Sequence, residues 1–383
     1  MAQSIELGEY DTRRVVTAPP TIDDQRLAER LSAGGDLQPR LLVQWWADGT
    51  VQVTASSWIG VVRFSHFEVR VVPKLVGGSL RVLRMLEYTS GVRLLAHLPV
   101  ERDQPSEGRD LFDLIVMLLA KETRVLVHEG LIRDYRPVND SLDVMRGQLR
   151  LREQYFRRYG ALHLLECRFD EYDGDIPENQ LLAAALAVAR SRVQDPHIRT
   201  ETQLATHWLE GVCTAPNRNA DWYRRRITYG RRNDRYRPAH ELAYLVLQGL
   251  AFADLFDSSS RRMTTFMLNM NAIFEQFVSQ LVEESLADTV FRVDRLRPQH
   301  SAVIVDDATD KTYSRIRPDI VIVDTIRSRT IPIDVKYKLY DLKKFSAADI
   351  YQLFLYAYAL GADAIERIAG LIYPQSSAPQ NRG

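Results

Sequence analysis

The residues best equipped for chemistry lie in the last hundred positions. Arg317-Pro318-Asp319 is followed, after fourteen residues, by Asp334-Val335-Lys336. Each triplet adjoins a short β-branched run, and the polar turn Thr325–Thr330 lies between them. A hairpin centred between Arg327 and Ser328 places Asp319 opposite Lys336, and strand alternation puts Asp334 and Lys336 on one face. Two carboxylates and one ammonium then converge on a small patch. Like charges so close repel unless a cation sits between them. Hard oxygen ligands favour Mg²⁺, which binds one or two carboxylates together with substrate phosphate. Phosphodiester hydrolysis needs such a site: the metal polarises the phosphoryl oxygen and lowers the pKa of an attacking water. A lysine there orients the water or neutralises charge developing on the phosphate.

Other residues extend the pattern. Glu275, in Asn271-Ala-Ile-Phe-Glu-Gln-Phe-Val, is an acid among apolar neighbours on a helix that precedes the first strand, where it could add a carboxylate to the metal. Gln352 and Tyr356 lie one helical turn apart on one face of a later helix, placed to hold the lysine or a DNA backbone. Asp324 competes on the same strand as Asp319 and is read as ending it in a turn. Lys338 is read as a phosphate contact or a solvated charge. Five of the seven lysines (Lys311, Lys336, Lys338, Lys343, Lys344) fall between 311 and 344, in a chain that otherwise uses arginine for positive charge. A second basic region, Arg218 to Arg237, has eight arginines, among them Arg224, Arg225 and Arg226, against Asp221 and Asp234. Trp222, Tyr223, Tyr229 and Tyr236 are interleaved. Such a stretch suits a phosphate backbone and stacked bases, or equally an acidic partner subunit.

The order helix-Glu, strand-Pro-Asp, strand-Asp-x-Lys, helix-QxxxY resembles the PD-(D/E)xK nuclease superfamily. The wording FEQFV, RPDI, DVKYK and YQLFLYAYA resembles the McrC family, the nuclease subunits of McrBC-type restriction systems that act on 5-methylcytosine DNA. Met145-Arg-Gly-Gln-Leu149, the run from Cys167 to Asn179, and Val72-Pro-Lys-Leu75 are also similar to that family. The likeness covers about residues 60–373. It implies Mg²⁺-dependent cleavage of modified duplex DNA, with Asp319, Asp334 and Glu275 at the metal and Lys336, Gln352 and Tyr356 completing the site. It also implies an McrB-like AAA+ GTPase ring as partner, stimulated through the N-terminal part of this chain. Two other readings share the same residues: a non-catalytic adaptor that binds DNA and activates an AAA+ partner, and a stand-alone RecB-like nuclease. The intact Asp319, Asp334 and Lys336 favour catalysis, and the long portion outside the nuclease region argues against the stand-alone enzyme.

Composition sets the frame. The chain has 383 residues, with Lys+Arg 50 balanced by Asp+Glu 50. Nucleic-acid binding must therefore rest on local patches rather than on a global field. Cys167 and Cys213 form no CxxC pair, so neither a disulfide scaffold nor a zinc cage is indicated, and two thiols fit a reducing cytoplasm. The apolar runs are too short to span a membrane. There is no Gly-Lys dipeptide and hence no Walker A loop, no HExxH and no GxSxG; the missing P-loop agrees with the separate motor chain that the resemblance implies.

The elements that would position the site follow from periodicity. The predicted fold is α+β and multidomain. A β-rich N-terminal domain (1–105) carries a short helix near Asp23–Ala33 and an antiparallel meander over Leu41–Leu75, ending in a linker at Glu101–Asp110. A mainly helical middle region spans 106–262, with helices at Leu111–Val127, Asn179–Val193 and Ala239–Phe256. A C-terminal α/β PD-(D/E)xK nuclease domain spans 263–376. Its helix runs over Met263–Leu286, its strands lie near 291, 302, 317 and 331, and a helix at Ala347–Leu360 and a short strand at Ile368–Tyr373 follow. Residues 377–383 are a frayed tail.

Overall fold

A computed structural model describes the chain except residues 1–2, 34–38, 76–77, 91–110, 161–162, 217, 251–264, 295–301, 307–310, 328, 341–343, 361–366 and 376–383. The expected linker at Glu101–Asp110 and the tail lie outside the described residues. The architecture is mixed α+β, with ten α-helices and five small sheets among the described residues.

The N-terminal part begins with two strands ahead of the expected helix, β1 (Gln3–Gly8) and β2 (Thr12–Val16). Helix α1 (Ile22–Ser32) starts at a capping box in which the Thr21 and Asp24 side chains each accept from the other's backbone N–H. The next four strands are β3 (Leu41–Trp45), β4 (Thr50–Ala55), β5 (Trp58–Arg63) and β6 (Phe67–Val72), the expected segments. They do not form one meander. Strands β3 and β4 join β2 in one sheet, while β5 and β6 join β1 in another, and β1 runs parallel to β6. Alternation explains the inner faces: Val51 and Val53 on β4, and Ile5 and Leu7 on β1, are buried. Helix α2 (Gly78–Ser90) follows.

The middle of the chain is built on α3 (Leu111–Glu129), then β7 (Asp134–Leu142), β8 (Gln148–Leu149), α4 (Leu151–Arg158) and β9 (Leu165–Asp173). After these come α5 (Pro177–Arg190), α6 (Pro196–Glu210), α7 (Ala220–Arg224) and α8 (Arg237–Leu250). Helices α3, α5, α6 and α8 pack together around Leu118, Leu182, Leu186 and Leu242, and β7, β9 and β8 form a separate sheet.

The last part opens with β10 (Thr265–Asn269), a strand where the sequence pattern predicts helix. It completes the β1-β6-β5-β10 sheet and leads directly into α9 (Met270–Leu286), capped by the Asn269 side chain. Then come β11 (Phe291–Asp294), β12 (Ala302–Asp306), β13 (Lys311–Ile316), β14 (Ile320–Asp324), β15 (Arg329–Val335), α10 (Ala347–Leu360) and β16 (Gly370–Ile372). The order β11-β14-β15-β16 makes a sheet in which β15 is antiparallel to β14 and parallel to β16, and both α9 and α10 pack on β15. The chain groups into two compact units, residues 1–93 with 267–383, and residues 94–266. The sequence pattern suggests separate first and last parts; β10 and α9 tie them into one unit.

Candidate active site

Strand β14 (IVIVD) and strand β15 (RTIPIDV) are rich in β-branched residues, which suits strands inside a sheet, and β15 also packs against α9 and α10. Their register pairs Ile320 with Ile333 and Asp324 with Arg329. The hairpin is therefore centred between Ile326 and Arg327, not between Arg327 and Ser328. The Asp324 side chain explains the tighter turn, because its Oδ1 accepts from the N–H groups of Ile326 and Arg327, both at 3.0 Å. The expected register places Lys336 opposite Asp319. The observed one instead brings Asp319 across from Asp334, a two-residue slip that leaves the same side chains on the same face. The Val335 N–H donates to Asp319 Oδ2 at 2.7 Å and locks this arrangement.

Asp334 is 1% exposed, and neither of its carboxylate oxygens has a hydrogen-bond partner. Lys336 Nζ lies 3.0 Å from Asp334 Oδ2, close enough for charge attraction but outside hydrogen-bond geometry. The Lys336 N–H donates to the Ile372 carbonyl at 2.9 Å, so pairing with β16 continues past the end of β15 and fixes the lysine's backbone.

Burial pushes the Asp319 carboxyl up to about 7. The negative charges of Asp334 and Glu275 add to this, while the Val335 N–H and the Lys336 ammonium oppose it. Glu275 stands open to solvent on α9, yet lost hydration also raises its carboxyl; Arg317 and Lys336 oppose that rise and Asp334 adds to it. Three carboxylates thus share one field, although among the described residues no three acidic, histidine or cysteine side chains close into a ready metal cage. The facing pair is Asp319 and Asp334, with Glu275 at the rim. Arg317, which the motif leaves without a role, adds a guanidinium charge beside Glu275.

The QxxxY pair does something other than hold the lysine. Gln352 Nε2 donates to Tyr356 Oη at 2.7 Å, and the buried Tyr356 hydroxyl donates to the Arg317 carbonyl at 2.9 Å. Helix α10 therefore fixes the backbone two residues before Asp319. Lys338 is engaged as well: its Nζ lies 2.9 Å from both Asp349 oxygens. Burial works to raise the Asp349 carboxyl, but hydrogen bonds from Ser346, Tyr340 and Lys338 hold it down at about 2.

The arginine stretch folds into the helical unit. Tyr223 and Tyr236 are fully buried. Arg226 stacks 3.8 Å over Trp222, Arg224 lies 4.8 Å over Tyr244, Arg232 pairs with Asp134 and Arg235 with Glu129. Arg224, Arg225 and Arg226 remain exposed at the end of α7.

A family model described as "McrBC 5-methylcytosine restriction system component" matches residues 53–374. The chain belongs to that family. Among solved structures, the fold is similar to a chain of the refined half-complex from the tetradecameric assembly of Thermococcus gammatolerans McrB AAA+ hexamers with bound McrC. The TM-score there is 0.63 at 19% identity, over 98% of this chain and 88% of that one. The cryo-EM structure of the Thermococcus gammatolerans McrBC complex gives 0.49 at 19% identity, over 75% of this chain and 89% of that one. No curated protein matches. Among the described residues no helix is long and apolar enough to cross a membrane.

Proposed function

We propose that this family member is the Mg²⁺-dependent DNA endonuclease subunit of an McrBC-type restriction complex, with the PD-(D/E)xK arrangement as its cutting site. The observation that carries the reading is Asp334: a buried carboxylate with two oxygens lacking hydrogen bonds, facing the half-buried carboxylate of Asp319, with an ammonium 3.0 Å away. Native proteins rarely leave such groups without partners unless a bound ion or a catalytic role compensates. The donor set suits a hard divalent cation held by Asp334 and Asp319, with Glu275 as a further oxygen ligand at the rim. When bound, Mg²⁺ would supply Lewis-acid polarisation of a phosphoryl oxygen and acidify a water.

The chain's own residues supply the rest. Burial holds the Asp319 carboxyl up at about 7, so in the absence of metal its own charge develops as the pH rises through neutrality. Lys336 neutralises charge on the phosphate or orients the attacking water from its place beside Asp334. Tyr356 and Gln352 hold the Arg317 backbone, and with it the approach of Asp319. Family membership supports a partner AAA+ GTPase ring stimulated by this chain, as does the assembly of McrB hexamers with bound McrC in the similar structure. Modified duplex DNA is the corresponding substrate.

The test is cleavage of methylated duplex DNA by the chain together with its cognate AAA+ partner, with and without Mg²⁺. Lys336→Ala should stop cutting while still stimulating nucleotide hydrolysis by the partner. Cutting that persists in EDTA would remove the metal from the reading.

A further inference from the structure

Tyr337, the residue after Lys336, is buried at 2% exposure and makes interactions that reach far along the chain. Its hydroxyl donates to Glu9 Oε1 at 2.8 Å, across 328 residues of sequence. Its carbonyl accepts from Lys74 Nζ at 2.5 Å. The same ammonium lies 3.9 Å from the centre of the Tyr337 ring and 3.6 Å from Glu9 Oε2. Glu9 Oε1 also accepts from the Lys74 backbone N–H at 3.0 Å. On its other side the Tyr337 ring packs at 5.5 Å against Phe274, the neighbour of Glu275. The turn that delivers Glu9 holds Tyr10 at φ 67°, a conformation that a bulky residue keeps only where its surroundings impose it. From that turn Tyr10 reaches Ser57 and Asn271, the second residue of α9.

These interactions lie within one compact unit and converge on one side chain between two groups of the proposed site. An ammonium bound at once to a carbonyl, a ring face and a carboxylate has little freedom to move, and a carboxylate so enclosed is costly to hold without it. We propose that Lys74 and Glu9, together with Tyr337, are positioning residues of the metal site: they fix the backbone of Lys336 from one side and the Phe274–Glu275 turn of α9 from the other. The N-terminal strands are then part of the cutting apparatus and not only a platform for a partner. This inference rests on the proposed function, because it needs Asp319, Asp334 and Glu275 to be metal ligands.

The experiment uses the full chain and two measurements, Mn²⁺ binding by calorimetry and Mg²⁺ titration of DNA cleavage in the presence of the AAA+ partner. Groups that orient metal ligands typically change affinity by 10–100-fold when removed. Lys74→Met keeps the apolar stem and should weaken Mn²⁺ binding at least ~10-fold, with a matching rise in the Mg²⁺ concentration that gives half-maximal cleavage. Tyr337→Phe removes only the hydroxyl that Glu9 accepts, and should show the same shift on a smaller scale, about 3-fold. A variant with wild-type circular dichroism and wild-type metal affinity would reduce the cluster to packing and overturn the proposal. If Lys74→Met does not fold, Tyr337→Phe decides alone, by the same criterion. A wild-type chain that binds no Mn²⁺ would instead defeat the reading of the site itself, a result distinct from failure of the positioning role.

Discussion

Asp319→Asn isolates the electrostatic cost of the paired carboxylates in the absence of metal. Asparagine keeps an oxygen to accept from the Val335 N–H and removes the charge. The Asp319 carboxyl stands at about 7 in the folded chain against an ordinary 3.8. Between those values the folded state holds a proton that the unfolded chain has released. Stability of the wild type should therefore fall as pH rises from about 4 to 7, and level off above. At full burial a displacement of that size corresponds to about 4 kcal/mol. Asp319 is only partly buried and shares its field with Asp334, so roughly 2 kcal/mol is the working expectation. In EDTA at pH 8 the variant should melt about 5 °C higher than the wild type, and the difference should vanish near pH 4. Thermal melts across that range decide the matter. Parallel pH profiles for the two proteins would refute the claim that Asp319 carries a raised pKa imposed by its buried, negatively charged surroundings.

Further expectations concern the supports of each unit. Tyr356→Phe leaves the Arg317 carbonyl without its donor and should cost about 1–2 kcal/mol in denaturant unfolding, while slowing cleavage by loosening the approach to Asp319. In the helical unit, Asn179 Nδ2 donates to the Ile132 and Gly174 carbonyls and its Oδ1 accepts from Tyr236; Asn179→Ala should cost about 3 kcal/mol, measurable by urea denaturation. Changing Arg224, Arg225 and Arg226 to Ala should flatten the salt dependence of duplex binding, by about 0.9 in log–log slope for each phosphate that these arginines neutralise in the wild type. An unchanged slope with weakened association to the AAA+ partner would move that surface to the subunit interface.

The strand-turn-strand that carries Asp319 and Asp334 is legible because β-branched runs bounded by a polar turn have few alternatives, and helix α10 falls at its expected ends. The register is not, because a polar turn alone leaves its centre open by one residue and the capping role of Asp324 emerges only from its hydrogen bonds. The strand period of two protects the inference about faces from that slip. Strand β1 escapes detection because its pairing partner, β6, lies some sixty residues away, and its alternation covers only Ile5 and Leu7. Strand β10 merges into a helical pattern because Phe266, Met267 and Leu268 are buried in succession, leaving no period to read. The Glu9–Lys74–Tyr337 cluster has no local signal, since its members come from three distant segments and each alone is an ordinary residue. Gln352 and Tyr356 stand out by spacing, but spacing does not say that their target is the Arg317 carbonyl.

Asp334 is the residue on which the proposed metal site depends most. Asp334→Asn is nearly isosteric and should fold as the wild type does. With the AAA+ partner, GTP and methylated duplex DNA it should show no Mg²⁺-dependent cleavage, and alone it should bind Mn²⁺ at least ~10-fold more weakly by calorimetry. A folded Asp334→Asn protein that cuts DNA at the wild-type rate and binds the metal with unchanged affinity would contradict the assignment of the site.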